Sequence, residues 1–267
     1  MSDLRIAFAG DRDISVWVLD HLQAEGVHPL ALLVSDADRA SHADELRRRC
    51  EHLAPDHVMV GGSFREPQQV ELLSSLALDL VVSIHFPYLY PAEVLCLPRH
   101  GVLNLHPAYL PYNRGWHTPS WGLLDGTPLG ATLHFMDAGV DTGDIVAQSM
   151  LEPSPGDTAH SLYTKLKHVE LELFRASWPE IASGRYQRHP QQPDAGTVHK
   201  RRDLFRPEVQ QIDLDVPVPP SALLRRLRAL TTNDVAEAAY YQVEGTRYHV
   251  QVVITPADDQ DVRGGTA

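Results

Sequence analysis

The chain has 267 residues, 43% of them hydrophobic and 22% charged, and its 23 Lys and Arg against 35 Asp and Glu leave a formal charge of −12. That composition belongs to one large globular domain, or one domain with a small appendage, and excludes a disordered, collagen-like or coiled-coil architecture. So acidic a chain repels phosphate backbones at long range, which excludes nucleic acid as the expected main partner and leaves phosphorylated small molecules within reach of local donors.

The first apolar stretch, Ile6 to Ala9, runs straight into Gly10 and the charged Asp11, Arg12 and Asp13, too short for a secretory signal. Every longer apolar run is broken before the roughly 18 to 20 residues a membrane-spanning helix needs. Cys50 and Cys96 are the only cysteines and have no metal-ligand spacing. A soluble cytoplasmic protein with no membrane partner and no metal is expected.

Leu4 to Ala9 reads as a strand, Ile14 to Leu22 as a helix and Pro29 to Val34 as a second strand. A helical stretch from Asp38 to Leu53, a strand at His57 to Val60, a helix over Pro67 to Leu76 and a strand at Leu78 to Ile84 follow. Apolar strands alternating with helices imply a parallel sheet covered on both faces, whose ligands sit beyond the carboxyl ends of its strands. Val102 to Leu105 is the next strand, then a short helix at Trp116 to Leu124 and β runs at Gly130 to Met136 and Ile145 to Leu151. Thr158 is the expected cap of a long helix carrying Leu162, Leu166, Val169, Leu173 and Trp178. The Pro- and Gln-rich stretch from Gln187 to Thr197 marks a boundary, followed by a helix at Ser221 to Leu230 and strands at Ala238 to Val243 and Tyr248 to Ile254 around Gly245. This predicts a main domain over 1–186, a small appendage over 187–255 and a disordered tail over 256–267.

Asn104-Leu105-His106-Pro107 closes a buried strand. Residues two apart on a strand face one side, so an amide donor and a basic imidazole stand together, as attack on a carbonyl carbon requires. Alone, an Asn-x-His pair is more often structural in a chain with 15 histidines. The loop Ala138-Gly139-Val140-Asp141-Thr142-Gly143-Asp144 adds an acid able to orient a histidine, although by itself it reads as a surface turn.

Taken jointly, Asn104, His106 and Asp141 with the intervening His-Pro-x-x-x-Pro segment resemble the signature of the folate-dependent formyltransferases, over roughly Ile6 to Leu173. Asn104 to Trp121, with its Tyr-Asn-Arg-Gly loop, is similar to the branch that formylates nucleotide-linked amino sugars. The resemblance implies the formyltransferase fold: α/β, a Rossmann-like mostly parallel sheet flanked by helices, with a small C-terminal helix-plus-hairpin appendage. It implies 10-formyltetrahydrofolate as donor and a 3- or 4-amino dideoxysugar on a nucleoside diphosphate, thymidine first, as acceptor, with lipopolysaccharide biosynthesis as one setting. Asn104 and protonated His106 then stabilise the oxyanion and Asp141 orients or helps deprotonate, with the acceptor of the amine proton left open.

The same resemblance lays the pterin near Ser83 to Tyr90 and the loop Asp137 to Asp141, making His85, Phe86, Tyr88, Asp137 and Gly139 expected donor contacts. Phe86 and Tyr88 read equally well as packing around Pro87. Expected acceptor contacts are Tyr109, Asn113, Arg114 (on a phosphate or ordering the loop), Trp116, Arg12, Lys200 and Arg228. Trp121 reads better as core, and the basic clusters around Lys200 and Arg228 as a solvated face. Gly10 alone stands where a dinucleotide-binding turn would need three glycines. Exposed hairpin edges in the appendage suit a homodimer. The rivals are methionyl-tRNA formylation, which calls for a basic carboxyl-terminal domain and is opposed by the charge of −12, glycinamide ribonucleotide formylation, and a non-catalytic nucleotide-sugar binder, which has no need of the trio.

Overall fold

The computed structural model describes residues 4–38, 40–192 and 195–257. In chain order the main elements are β1 (Ile6–Gly10), α1 (Arg12–Ala24), β2 (Ala31–Val34), α2 (Ala43–Arg49), β3 (Val58–Val60), α3 (Pro67–Ser75), β4 (Leu80–Ile84), α4 (Ala92–Leu95) and β5 (Val102–His106). Next come β6 (Arg114–Gly115), α5 (Thr118–Asp125), β7 (Leu129–Phe135), β8 (Ile145–Leu151) and α6 (Ala159–Ala182). The last are β9 (Val198–His199), α7 (Pro207–Gln210), α8 (Pro220–Ala229), β10 (Ala239–Val243) and β11 (Thr246–Val250).

Seven strands form one sheet in the order β3-β2-β1-β4-β5-β7-β8. The first five are parallel, β7 pairs antiparallel with β5, and β8 pairs antiparallel with β7. Alternation along β1 explains its unbroken apolar run: Ile6 and Phe8 join the core under α1 and α6 with Leu19, Phe174 and Trp178, while Ala7 and Ala9 face a second core with Leu73 and Val94. Thr158 caps α6 as expected, its side chain and that of Ser161 forming a reciprocal box.

Three expected elements are corrected. The stretch Asp38 to Leu53 is helical only over Ala43–Arg49, because Oδ1 of Asp11 takes the N–H groups of Ser41 (2.9 Å) and His42 (3.3 Å) and fixes the chain there as a loop. The helix expected at Trp116 starts at Thr118, since β6 pairs with β9 and the Trp116 N–H is given to the His199 carbonyl. The last strand begins at Thr246, directly after a two-residue turn in which Glu244 and Gly245 both have positive φ, and ends at Val250. Beyond it Val252 donates to the Thr231 hydroxyl instead of continuing the ladder. Of the expected disordered tail, residues 258–267 lie outside the described residues.

The region after Val198 packs on α5 through a small core of Trp121, Leu204, Leu230 and Ala239. Trp121 stacks on the His199 ring at 3.9 Å, which settles it as core. Among the described residues, no helix is long and apolar enough to cross a membrane.

Candidate active site

Asn104 and His106 stand on one side of β5, near its carboxyl end, and the register sets Asn104 opposite His134 of β7. Asn104 Nδ2 is 3.0 Å from His134 Nε2. The loop after β7 folds back over this pair and brings Asp141 between two imidazoles, with Oδ2 3.5 Å from His106 Nε2 and Oδ1 3.6 Å from His134 Nε2. His106 is 7% exposed and His134 fully buried. The three residues singled out by sequence therefore converge, and His134 is a fourth member that the sequence reading missed. Its signal was present: a histidine set among Leu133 and Phe135 in a strand whose other face is core.

The loop is held in a conformation that L residues resist. Asp141 has φ +51, a left-handed geometry costing on the order of 1–3 kcal/mol. The Gly115 N–H donates to its Oδ2 at 2.9 Å, and Gln191 Nε2 donates to the Asp141 and Gly143 carbonyls at 2.9 and 2.8 Å. A Cβ on Gly143 would lie 1.8 Å from the Phe135 carbonyl oxygen, and one on Gly139 would lie 2.0 Å from Thr142 Oγ1. Asp137 turns inward on the loop, accepting from the Gly139 N–H and the Thr142 hydroxyl.

Burial pushes the His106 imidazole below its ordinary value, and the Asp141 charge opposes that without overcoming it. Burial alone would raise Asp141, but the His106 ring beside it and the Gly115 N–H hold its carboxyl well below the usual range. Both neighbours of His106 Nε2, the Asp141 carboxylate and the Asn113 carbonyl at 3.4 Å, are acceptors. The neutral ring therefore carries its hydrogen on Nε2 and leaves Nδ1 as the nitrogen able to take a proton.

The expected acceptor contacts fall into three groups. Asn113 is buried, its Nδ2 bonded to Thr127 and its Oδ1 accepting from Thr127 and Thr197; Arg114 is buried and donates to Gln191 Oε1 at 2.8 Å. Both spend their polar groups inside the protein, and Arg114 orders the loop through Gln191. Tyr109 is half-buried beside Gly130, while Trp116 is 43% exposed with the Arg201 guanidinium 5.7 Å from its ring centre. Arg228 gives its guanidinium to the Asp157 and Ser154 carbonyls, Lys200 is exposed with its backbone N–H on Asp203, and the exposed Arg12 lies 3.4 Å from Asp11. These bonds tie up the Arg228 guanidinium that was expected to contact the acceptor.

His85 follows β4 directly, with φ +51, and its Nε2 is 2.7 Å from the fully buried Glu170 of α6. Phe86 and Tyr88 pack with Phe64, and Tyr88 donates to Asp36 at 2.6 Å. Their side chains thus support the turn. Beside it opens a cleft of about 560 Å³ lined by Asp36, Arg65 and residues 87–91, in which Leu89 is 68% exposed.

Residues 4–177 match the family described as formyl transferase, which is more than half of the chain. The chain belongs to the formyl transferase family. Residues 206–256 of this formyl transferase match a second family, described as the N-formyltransferase dimerization C-terminal domain. It is similar to dTDP-4-amino-4,6-dideoxyglucose formyltransferase of Mycobacterium tuberculosis, 32% identical over 178 residues that cover 67% of this chain and 74% of the relative. It is also similar to methionyl-tRNA formyltransferase of Halorhodospira halophila, 34% identical over 85% of this chain and 73% of the relative. In fold it resembles a 4-N formyltransferase from Francisella tularensis, at TM-score 0.80 and 23% identity over 96% of this chain and 100% of that one.

Proposed function

We propose that this formyl transferase moves a formyl group from 10-formyltetrahydrofolate to the amine of a nucleotide-linked amino-dideoxysugar, with dTDP-4-amino-4,6-dideoxyglucose the first acceptor. The observation that carries the reaction is the approach of Asp141 to His106 at 3.5 Å beside the Asn104 amide. The acceptor rests on the 32% likeness to the mycobacterial enzyme. Asn104 donates an N–H to the formyl oxygen as the acceptor nitrogen bonds to the formyl carbon. Neutral His106 takes the amine proton on Nδ1, and Asp141 stabilises the resulting imidazolium. As the bond from the formyl carbon to N10 breaks, His106 returns that proton to N10, leaving a formamido sugar and tetrahydrofolate.

The cleft beside residues 87–91 suits the donor. Exposed Leu89 offers an apolar surface for an aromatic body, and Arg65 a cation for a carboxylate tail. His85, the backbone around Phe86 and Tyr88, and the Asp137–Gly139 turn are the donor contacts in this reading; Tyr109, Trp116, Arg12 and Lys200 are left for the acceptor. The division is a catalytic unit over 1–186 and an appendage over 187–255, through which two copies pair in the cytoplasm. Exposed Val243 and Tyr248 on its hairpin and the match to a dimerization family support the pairing.

Methionyl-tRNA formylation is the second reading, favoured by the 34% likeness. The formal charge of −12 opposes it, since phosphate backbones need a basic surface. Mass spectrometry of donor-containing reactions with thymidine-linked 3-amino and 4-amino sugars and with charged initiator tRNA separates the readings: the proposal requires one formyl unit on a sugar and none on the tRNA.

A further inference from the structure

His134 is fully buried, and each nitrogen of its ring meets a group of fixed character. Nδ1 lies 3.2 Å from the Phe135 carbonyl oxygen. A carbonyl only accepts, so Nδ1 carries a hydrogen and Nε2 presents its lone pair. The group 3.0 Å from that lone pair is the Asn104 amide. The contact is a hydrogen bond only when the NH₂ end of Asn104 faces His134; with the amide turned over, two acceptors would stand at the same separation. The 3.6 Å between Nε2 and Asp141 Oδ1 exceeds hydrogen-bond length, so the amide contact is the one Nε2 makes.

We propose that His134 is a positioning residue that fixes the amide orientation of Asn104, so that the second N–H of the same NH₂ group faces the formyl oxygen. The proposal rests on the role given to Asn104 above. An Asn side chain has near-equal energy in its two flipped orientations unless its neighbours choose, and only one of them puts a donor where negative charge develops. The backbone of β7 makes that choice, because the Phe135 carbonyl sets the ring tautomer and the ring sets the amide. Asp141 and His106 also face the His134 ring, Asp141 with Oδ1 3.6 Å from Nε2 and His106 with its ring centre 6.3 Å away.

The test is a double-mutant cycle on formyl transfer. His134→Phe keeps a ring without its nitrogens, and His134→Gln returns an acceptor near the place of Nε2. His134→Phe is expected to lower kcat/KM by about 100-fold, the lower end of the range for loss of an oxyanion donor, and His134→Gln to recover about tenfold of that. In an Asn104→Ala background the His134→Phe change should cost less than about threefold, because its route to the reaction has gone. Equal losses in both backgrounds, or equal losses for Phe and Gln, would overturn the proposal. If Asn104→Ala itself leaves kcat/KM unchanged, the role of Asn104 fails and the proposal falls with it, a result distinct from an additive cycle. Should the Phe variant not fold, His134→Met, with a chain of similar length and no amide acceptor, provides the comparison with Gln.

Discussion

Gln191 holds Asp141 by its backbone: its amide NH₂ donates to the Asp141 carbonyl at 2.9 Å while its own carbonyl accepts from Arg114 at 2.8 Å. A residue from the chain beyond α6 thereby clamps the left-handed conformation of the loop acid. Gln191→Ala is expected to lower kcat/KM by about tenfold, since relaxing φ moves the carboxylate from His106. Steady-state kinetics beside a thermal melt checks this; an unchanged kcat/KM would mean that Gly115 alone holds the acid.

Asp141→Asn should reduce kcat/KM by about 10²–10⁴, the range for a lost acid–base partner. The pH profile carries the sign. Burial lowers His106, so its neutral form persists below the ordinary imidazole value of about 6.5, and activity declines only under that pH. The Asp141 charge opposes the lowering, so removing it shifts the acid limb to still lower pH. A limb moving upward in Asp141→Asn would contradict the assignment.

Much of this site was legible in the sequence because strand alternation and a strand end are local facts. Asn104 and His106 needed only the two-residue period of β5, and the glycines of 139–143 announced a constrained loop. The contacts of Asn113 and Arg114 were not legible in that way. Their partners Thr127, Thr197 and Gln191 come from other turns, so residues suited to a sugar proved to be internal ties. The overlong second helix failed for the same reason, since Asp11 lies thirty residues upstream of the Ser41 it bonds.

Gly143→Ala should unfold the loop or the domain, because its Cβ would sit 1.8 Å from a backbone oxygen. A loss of at least about 2 kcal/mol in denaturant unfolding is expected, in the range of overpacked sites. A variant of parental stability would show that the loop relaxes freely.

Asp157 anchors the start of α6, accepting from the Ser154 N–H and hydroxyl, the Ser161 hydroxyl and Lys165 Nζ. These donors outweigh burial and hold its carboxyl well below the usual range. A depressed acid contributes stability above its unfolded value of about 3.9, which is lost as pH falls through the folded value. Asp157→Asn should cost about 1–2 kcal/mol at neutral pH, and the difference from the parent should shrink below about pH 4. Urea melts at both pH values check it.

The appendage exposes Val243 and Tyr248 on its two-stranded hairpin. Tyr248→Glu is expected to convert a dimer into a monomer in light scattering with no loss of secondary structure by circular dichroism. A parent protein that is already monomeric would contradict the pairing, and a variant that stays dimeric would place the interface elsewhere.

The most direct test of the account is mass spectrometry of dTDP-4-amino-4,6-dideoxyglucose incubated with 10-formyltetrahydrofolate and either the parent protein or His106→Ala. The account predicts one formyl unit added to the sugar by the parent, with release of tetrahydrofolate, and at least a hundredfold slower addition by the variant, on the order expected for a general base. Equal rates for parent and variant would contradict the role given to His106, and no addition to any amino-sugar nucleotide in the panel would contradict the acceptor.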